Sequence, residues 1–282
     1  MFYSENSLMR TVITLILFVL HARPVAAQED SLAAAPPPWH TVAARDVNTV
    51  VRGAVVLFGA PGRWEGKEWG DVGLTALATG GAALLDDEMF SVMLQNRSTT
   101  LDHISNVVVN YGDGLVLGAL CLGAYSTGLV VEDSWLRETA VLSATALLLA
   151  SLSTQVLKFA VGRARPYMEL GNAAFRPFQL EDGYESFPSG HTAAAFSVTA
   201  VLAARIDRPW ASVGLYTLAT LTGLSRIYSE DHWFSDVVFS AIFSASLGRS
   251  LVLWYEGSAR EMNRNGLSIL PTPRGMTLMY RF

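Results

Sequence analysis

Residues 185–196 read ESFPSGHTAAAF and lead from an acidic turn through a proline into a run of small residues. Pro188 and Ser189 are typical of a helix start, with Ser189 as the N-cap. The free N–H groups of Ser189, Gly190 and His191 would then form a site suited to an anion. The absent side chain of Gly190 would let a ligand approach the backbone closely. This motif alone fits an ordinary capped helix with a solvent-facing histidine equally well.

The composition of the whole chain favours burial of most of its helices. Of the 282 residues, 51% are hydrophobic and only 16% are charged, whereas soluble proteins carry about a quarter charged residues. A net charge of −5 argues against nucleic acid as a partner, because nucleic-acid binding needs a basic face. The single cysteine, Cys121, excludes an internal disulfide framework.

Apolar runs rich in Gly, Ala, Ser and Thr predict an all-α fold, a bundle of about six helices. Aromatic residues at the ends of several runs favour a membrane-embedded bundle. Because several runs are shorter than a usual span, a soluble alanine-rich bundle remains the alternative. The predicted helical runs are 73–85, 114–131, 138–162, 191–206, 210–228 and 233–255.

The regions outside the helical runs divide the chain into four parts. Residues 1–27 predict a signal peptide, because an apolar run near ten residues is followed by small residues at a cleavage point. An uncleaved anchor is the alternative. Residues 28–69 are predicted to be a linker and N-terminal segment, 70–258 the helical domain, and 259–282 a tail whose alternation around a Pro/Gly turn suggests a short β-hairpin.

Two further motifs carry charged residues, one before and one after the stretch 185–196. Upstream, KFAVGRARPY places Lys158 and Arg165 seven residues apart, so both would point the same way on a continuing helix. Pro166 predicts that this helix ends there. Basic residues at a helix C-terminus often serve only to balance the helix dipole, so this motif is weak by itself.

Downstream, SRIYSEDHWFSD contains Arg226, His232 and Asp236. His232 and Asp236 are four residues apart and would share one helix face. The aspartate could then accept the N–H of the imidazole and leave the other nitrogen as a nucleophile. An exposed surface pair is the alternative, although Asp236 is followed by the apolar stretch VVFSAIF.

In combination and order, the three motifs resemble the phosphatidic acid phosphatase type 2 / vanadium haloperoxidase superfamily. That pattern is Lys, six residues, Arg-Pro; then Pro-Ser-Gly-His; then Ser-Arg, five residues, His, three residues, Asp. This sequence matches every position over residues 158–236, with Lys158, Arg165-Pro166, Pro188-Ser189-Gly190-His191, Ser225-Arg226, His232 and Asp236.

The resemblance implies a role for each of these residues. His232 would attack phosphorus and form a phosphohistidine, oriented by Asp236. His191 would protonate the leaving oxygen and then activate water. The resemblance implies no metal and no cofactor, because basic side chains would neutralise the phosphate. The expected phosphate ligands are Lys158, Arg165, Ser189, Gly190 and Arg226.

The resemblance together with the apolar helices implies a metal-independent phosphatase that acts on a lipid phosphate in the bacterial inner membrane. We expect five spans, with 73–85 packed or interfacial, because this count places all three motifs on the periplasmic side and short basic loops inside. The alternatives are a soluble periplasmic acid phosphatase, a vanadium-dependent haloperoxidase and a non-catalytic lipid-binding protein. The lipid phosphate itself and the oligomeric state do not follow from the sequence.

Overall fold

Helices make up most of the computed structural model, which describes residues 38–265, 267–272 and 275–280. The predicted signal peptide, 1–27, therefore lies outside the described residues. The α-helices are α1 (Trp39–Phe58), α2 (Gly66–Ala83), α3 (Asp86–Gln95), α4 (Thr99–Val108), α5 (Gly114–Val130), α6 (Ser134–Val161), α7 (Gly190–Ile206), α8 (Pro209–Tyr228) and α9 (Phe234–Asn265).

The described residues thus form nine α-helices, so the expected number of about six was too low. Two of the additional helices, α3 and α4, are only ten residues long. The third, α1, lies within the predicted linker 28–69, and buries Val42 and Gly53 while exposing Arg45 and Arg52. The charged residues Arg45, Asp46 and Arg52 divide its apolar residues into short runs, which is why a search for long apolar runs missed it.

Helix α7 forms the centre of the bundle and packs against α6, α8 and α9. Small side chains allow this close packing: a Cβ added to Gly248 of α9 would lie 2.5 Å from the carbonyl oxygen of Ser197. The larger side chains fill the space between α5, α6, α7 and α8, and their burial stabilises the bundle. They include Leu117, Trp135, Leu136, Leu147, Val198, Leu202, Ile206 and Leu215.

Two of the described helices are long and apolar enough to cross a membrane, namely α6 and the part of α9 over Phe234–Ala259. A third candidate is the bent pair Thr99–Gly112 and Gly114–Val130, whose two parts meet at 53°. Along α6, Leu148, Leu152 and Val156 form an exposed apolar stripe, as a lipid-facing helix requires. By length and composition, α7 and α8 are not among these candidates, so the structure supports fewer spans than the five expected.

Gly162 ends α6 and turns the chain towards the basic residues that follow. It adopts the left-handed conformation, with φ 60° and ψ 47°, and donates its N–H to the carbonyl oxygen of Lys158. Arg165 lies beyond this turn in extended backbone. The expectation that Lys158 and Arg165 share one helix was therefore wrong, because the left-handed turn at Gly162 ends the helix before Arg165.

The described part of the C-terminal region begins with α9, which continues to Asn265 and so passes the predicted domain end at residue 258. It is followed by strands β1 (Leu267–Thr272) and β2 (Gly275–Tyr280). The strands pair antiparallel, with Leu267 opposite Tyr280 and Thr272 opposite Gly275.

We expect Gly162→Ala to lower the free energy of unfolding by about 2 kcal/mol or more, because a non-glycine residue is strained in this conformation. The added Cβ would also lie 1.8 Å from the carbonyl oxygen of Arg176. Thermal unfolding in detergent measures the change. Gly114→Ala is the matched control, since nothing lies within 4 Å of its added Cβ. Equal melting temperatures for the two variants would contradict the assigned role of Gly162.

Candidate active site

All the site residues that were predicted from the three motifs lie at one end of the helical bundle. Lys158 lies in the last turn of α6, Arg226 in the last turn of α8, and Asp236 in the first turn of α9. His232 lies in the short loop before α9 and is 2% exposed. Burial, and then the positive charges of Lys158, Arg226 and Arg165, lower the pKa of His232 well below its usual range. The three cations therefore converge on this histidine.

The start of α7 contributes the Pro-Ser-Gly-His motif in the predicted form. Ser189 is the N-cap, and its hydroxyl oxygen accepts from the N–H of Thr192 and, at 2.9 Å, from the hydroxyl of Thr192. A Cβ at Gly190 would meet nothing within 4 Å, so there is open space beside this helix start. The expected helix start at Ser189 is confirmed, and the site for an anion at this terminus stays a prediction.

Arg165 and Arg226 form a pair of guanidinium groups bridged by one carboxylate. Arg165 Nη1 donates to Asp231 Oδ1 at 3.2 Å, and Arg226 Nη2 donates to Asp231 Oδ2 at 2.6 Å. The Nε atoms of both arginines are buried and have no hydrogen-bond partner in the described structure. A buried donor without a partner is costly, so these two Nε atoms mark a place where an anion would complete the hydrogen bonding.

The imidazole of His232 is held by a backbone carbonyl. Its Nδ1 lies 2.6 Å from the carbonyl oxygen of Ser186, and 3.9 Å from Asp236 Oδ2. Direct acceptance of the imidazole proton by Asp236, as the spacing of four residues suggested, is therefore not what the structure shows. Because a carbonyl only accepts, Nδ1 carries the proton and Nε2 keeps its lone pair for chemistry.

Asp236 instead fixes the loop that holds this carbonyl. Its Oδ2 accepts from the hydroxyl of Ser186 at 2.5 Å and from the N–H of Trp233 at 2.9 Å, while Oδ1 accepts from Arg163 Nη1 at 2.6 Å. Asp236 is 0% exposed, so each of its bonds lies in a medium of low dielectric constant. Its carboxylate positions His232 through Ser186 and Trp233.

Arg163 and Asp86 complete this buried network, and neither was predicted. Arg163 Nη2 donates to Asp86 Oδ2 at 2.7 Å, and Asp86 also accepts from the N–H and the hydroxyl of Ser235, both at 2.8 Å. Arg163 lies inside the motif KFAVGRARPY, so its position was a usable signal. Asp86 lies at the start of α3, far from all three motifs, and no sequence pattern distinguished it.

His191 has a different environment from His232. Burial and the positive charge of Arg226 lower the pKa of His191 to about 4, against the opposing effect of Asp113. This histidine is therefore neutral at pH 7. A bound phosphate would place negative charge beside it and raise its pKa, so the phosphate itself would favour the protonated form of His191.

The fold and the site define an α-helical protein with candidate membrane spans and a buried histidine surrounded by basic side chains. Residues 139–260 match the model of the PAP2 superfamily. A solved structure, that of a transmembrane PAP2 type phosphatidylglycerolphosphate phosphatase from Bacillus subtilis, has the same fold. Its TM-score is 0.53 and its sequence identity is 20%, over 66% of this chain and 96% of that one.

Two curated relatives are named lipid A 1-phosphatase. The protein of Porphyromonas gingivalis is 39% identical over 93 residues, which is 32% of this chain and 18% of the relative. The protein of Rhizobium johnstonii is 34% identical over 98 residues, or 34% of this chain and 39% of the relative. The chain therefore spans less than half the length of these relatives.

We expect Asp86→Asn to lower the free energy of unfolding by about 2–3 kcal/mol, because the amide N–H₂ would face either Arg163 Nη2 or the N–H of Ser235 in a buried site, and both are donors. Thermal unfolding in detergent measures the loss. Asp182→Asn is the control: Asp182 also binds an arginine, Arg165, but its side chain is 74% exposed, and exposed pairs contribute at most about 1 kcal/mol. A loss no larger than that of the control would contradict the structural role of Asp86.

Proposed function

We propose that this chain is a metal-independent phosphatase acting on a lipid phosphate through a phosphohistidine intermediate. The observation that carries the proposal is the pair of buried, unpartnered Nε atoms of Arg165 and Arg226 close to His232, whose Nδ1 is occupied. In the described residues, no three His, Cys, Asp or Glu side chains lie close enough together to bind a metal ion.

The chemistry follows from these positions. Lys158, Arg165 and Arg226 would hold the phosphate oxygens, with the N–H groups at the start of α7 completing the site. The lone pair of His232 Nε2 attacks phosphorus while the bond from phosphorus to the leaving oxygen breaks, and His191 donates its proton to that oxygen. Neutral His191 then takes a proton from water, whose oxygen attacks the phosphohistidine and releases phosphate and His232.

Two observations support a lipid as the substrate. Lys158 and Asp236 lie at the ends of two helices that are long and apolar enough to cross a membrane, and a lipid headgroup at the membrane surface would reach them there. The curated relatives that match about a third of this chain are named lipid A 1-phosphatases. A phosphorylated glycolipid of the lipid A class is therefore the first substrate to test.

The site would face the periplasm. If α6 spans the membrane, Lys158 at its end and residues 131–133 before its start lie on opposite sides. The start of α6 carries Arg137, and Arg205 from the end of α7 lies beside it, 3.4 Å from Glu138. Basic residues at this end favour the cytoplasmic side, which leaves the site outside.

We expect an alkaline phosphatase reporter, which is active only in the periplasm, to give no signal when fused after residue 130. The same reporter fused after residue 163 should be active, because α6 would have carried it across the membrane. A signal from the first fusion and none from the second would show the reverse orientation.

The activity is tested by phosphate release from detergent-purified protein in the presence of EDTA. We expect release from one of four lipid substrates, namely lipid A 1-phosphate, phosphatidic acid, phosphatidylglycerophosphate and a polyprenyl diphosphate, in preference to p-nitrophenyl phosphate. His232→Ala should lower the rate of phosphate release about 10³-fold or more, because it removes the nucleophile. Release from the soluble ester alone would indicate a soluble-type acid phosphatase, and bromide oxidation with added vanadate would indicate a haloperoxidase.

Ser186→Ala tests whether Asp236 positions His232 through the hydroxyl of Ser186. The variant keeps the carbonyl that accepts from His232 and loses only the hydroxyl that donates to Asp236. We expect kcat to fall by about tenfold, as for one lost buried hydrogen bond, with KM little changed. A loss as large as that of His232→Ala would contradict this assignment.

The pH profile of kcat/KM should reflect the cations around His232. Because its pKa lies well below the usual range, His232 stays unprotonated in mild acid, and the acid limb due to its protonation should lie below pH 6.5. Lys158→Gln removes a positive charge that lowers this pKa, so the acid limb should move to higher pH. An acid limb that moved to lower pH would show that Lys158 does not act on His232 in this way.

A further inference from the structure

The basic side chains of the site are paired with acids. Glu185 Oε2 lies 3.5 Å from Lys158 Nζ, Asp182 Oδ1 lies 2.9 Å from Arg165 Nη2, and Asp231 bridges Arg165 and Arg226. Three carboxylates thus face three cations, and their formal charges cancel. An incoming phosphate therefore meets a site with little net positive charge from these six side chains.

Asp231 is held much more firmly than the other acids. Both of its carboxylate oxygens bind a guanidinium group, and Oδ2 also accepts from the hydroxyl of Ser229 at 2.6 Å. Its side chain is 20% exposed, against 74% for Asp182. Water screens Asp182 strongly, whereas the charge of Asp231 acts on its surroundings with less screening.

A phosphate bound at the two unpartnered Nε atoms would share its guanidinium groups with Asp231. The phosphate and the carboxylate would then bind the same two guanidinium groups through different nitrogen atoms, a few ångströms apart. Like charges at such a distance repel, and the repulsion is stronger in a partly buried site than in bulk water. Part of the attraction between phosphate and the arginines is therefore offset by Asp231.

We propose that Asp231 is a specificity-determining residue that makes phosphate binding depend on the lipid part of the substrate. The inference rests on the proposed phosphatase function. Because Asp231 weakens the binding of the phosphate group itself, apolar contacts of the lipid must supply the remaining affinity. Free inorganic phosphate and soluble esters lack these contacts, so they bind weakly and the product phosphate leaves readily.

The test is the inhibition constant of inorganic phosphate for wild type and Asp231→Asn. We expect the variant to bind phosphate about tenfold more tightly, since it removes one negative charge close to the bound anion. Its kcat/KM for p-nitrophenyl phosphate should rise relative to that for the lipid substrate. Calorimetric titration of phosphate into His232→Ala, with and without Asp231→Asn, measures the same change in protein that cannot turn over.

Matched variants separate charge from structure. Asp231→Glu keeps the charge and should bind phosphate as wild type does, while Asp182→Asn should change binding less than twofold because that carboxylate is mostly exposed. Glu185→Gln removes the acid facing Lys158 and should tighten binding in the same direction. If Asp231→Asn does not fold, Asp231→Ser removes the same charge and is tested in its place.

An unchanged or weaker affinity for phosphate in folded Asp231→Asn would overturn the inference while leaving the phosphatase function intact, provided that wild type hydrolyses its substrate. If Asp231→Asn does not fold, an unchanged or weaker affinity in Asp231→Ser overturns it. If wild type neither binds phosphate nor releases it from any ester, the proposed function fails and this inference fails with it.

Discussion

The buried guanidinium of Arg163 is the group on which the rest of the site depends. It binds Asp236 at the start of α9, Asp86 at the start of α3 and the carbonyl oxygen of Asn172 in the intervening loop. A buried charge is tolerated only when it is fully paired. These partners must therefore be in place together, which holds the loop carrying His232 in one arrangement.

The charged residues of the site are placed in an apolar bundle without burial in its middle, because most of them lie at helix ends. Lys158, Arg226 and Asp236 sit in terminal turns, and Ser189 caps the start of α7. Charges at these places are reached by solvent or by neighbouring loops, while the middles of the helices stay apolar.

Sequence reasoning succeeded where a residue's role is local and failed where it depends on distant contacts. The helix start at Ser189 follows from capping chemistry, and the runs that became α5 to α9 follow from their apolar character. Helix α1 was missed because its apolar positions are interrupted by Arg45 and Arg52. The prediction that Lys158 and Arg165 share a helix was wrong, because Gly162 adopts a left-handed conformation and ends the helix before Arg165.

By itself, the sequence determined the helical class of the fold, the three motifs and the set of residues that meet at one end of the bundle. Only the tertiary structure decided their partners. It gave His232 the carbonyl of Ser186 in place of Asp236, brought Asp86 to Arg163 across 77 positions, and set Asp231 between two arginines. The physical reason is that motif spacing reports local geometry, whereas a buried polar group takes whichever partner the packed chain brings within hydrogen-bonding distance.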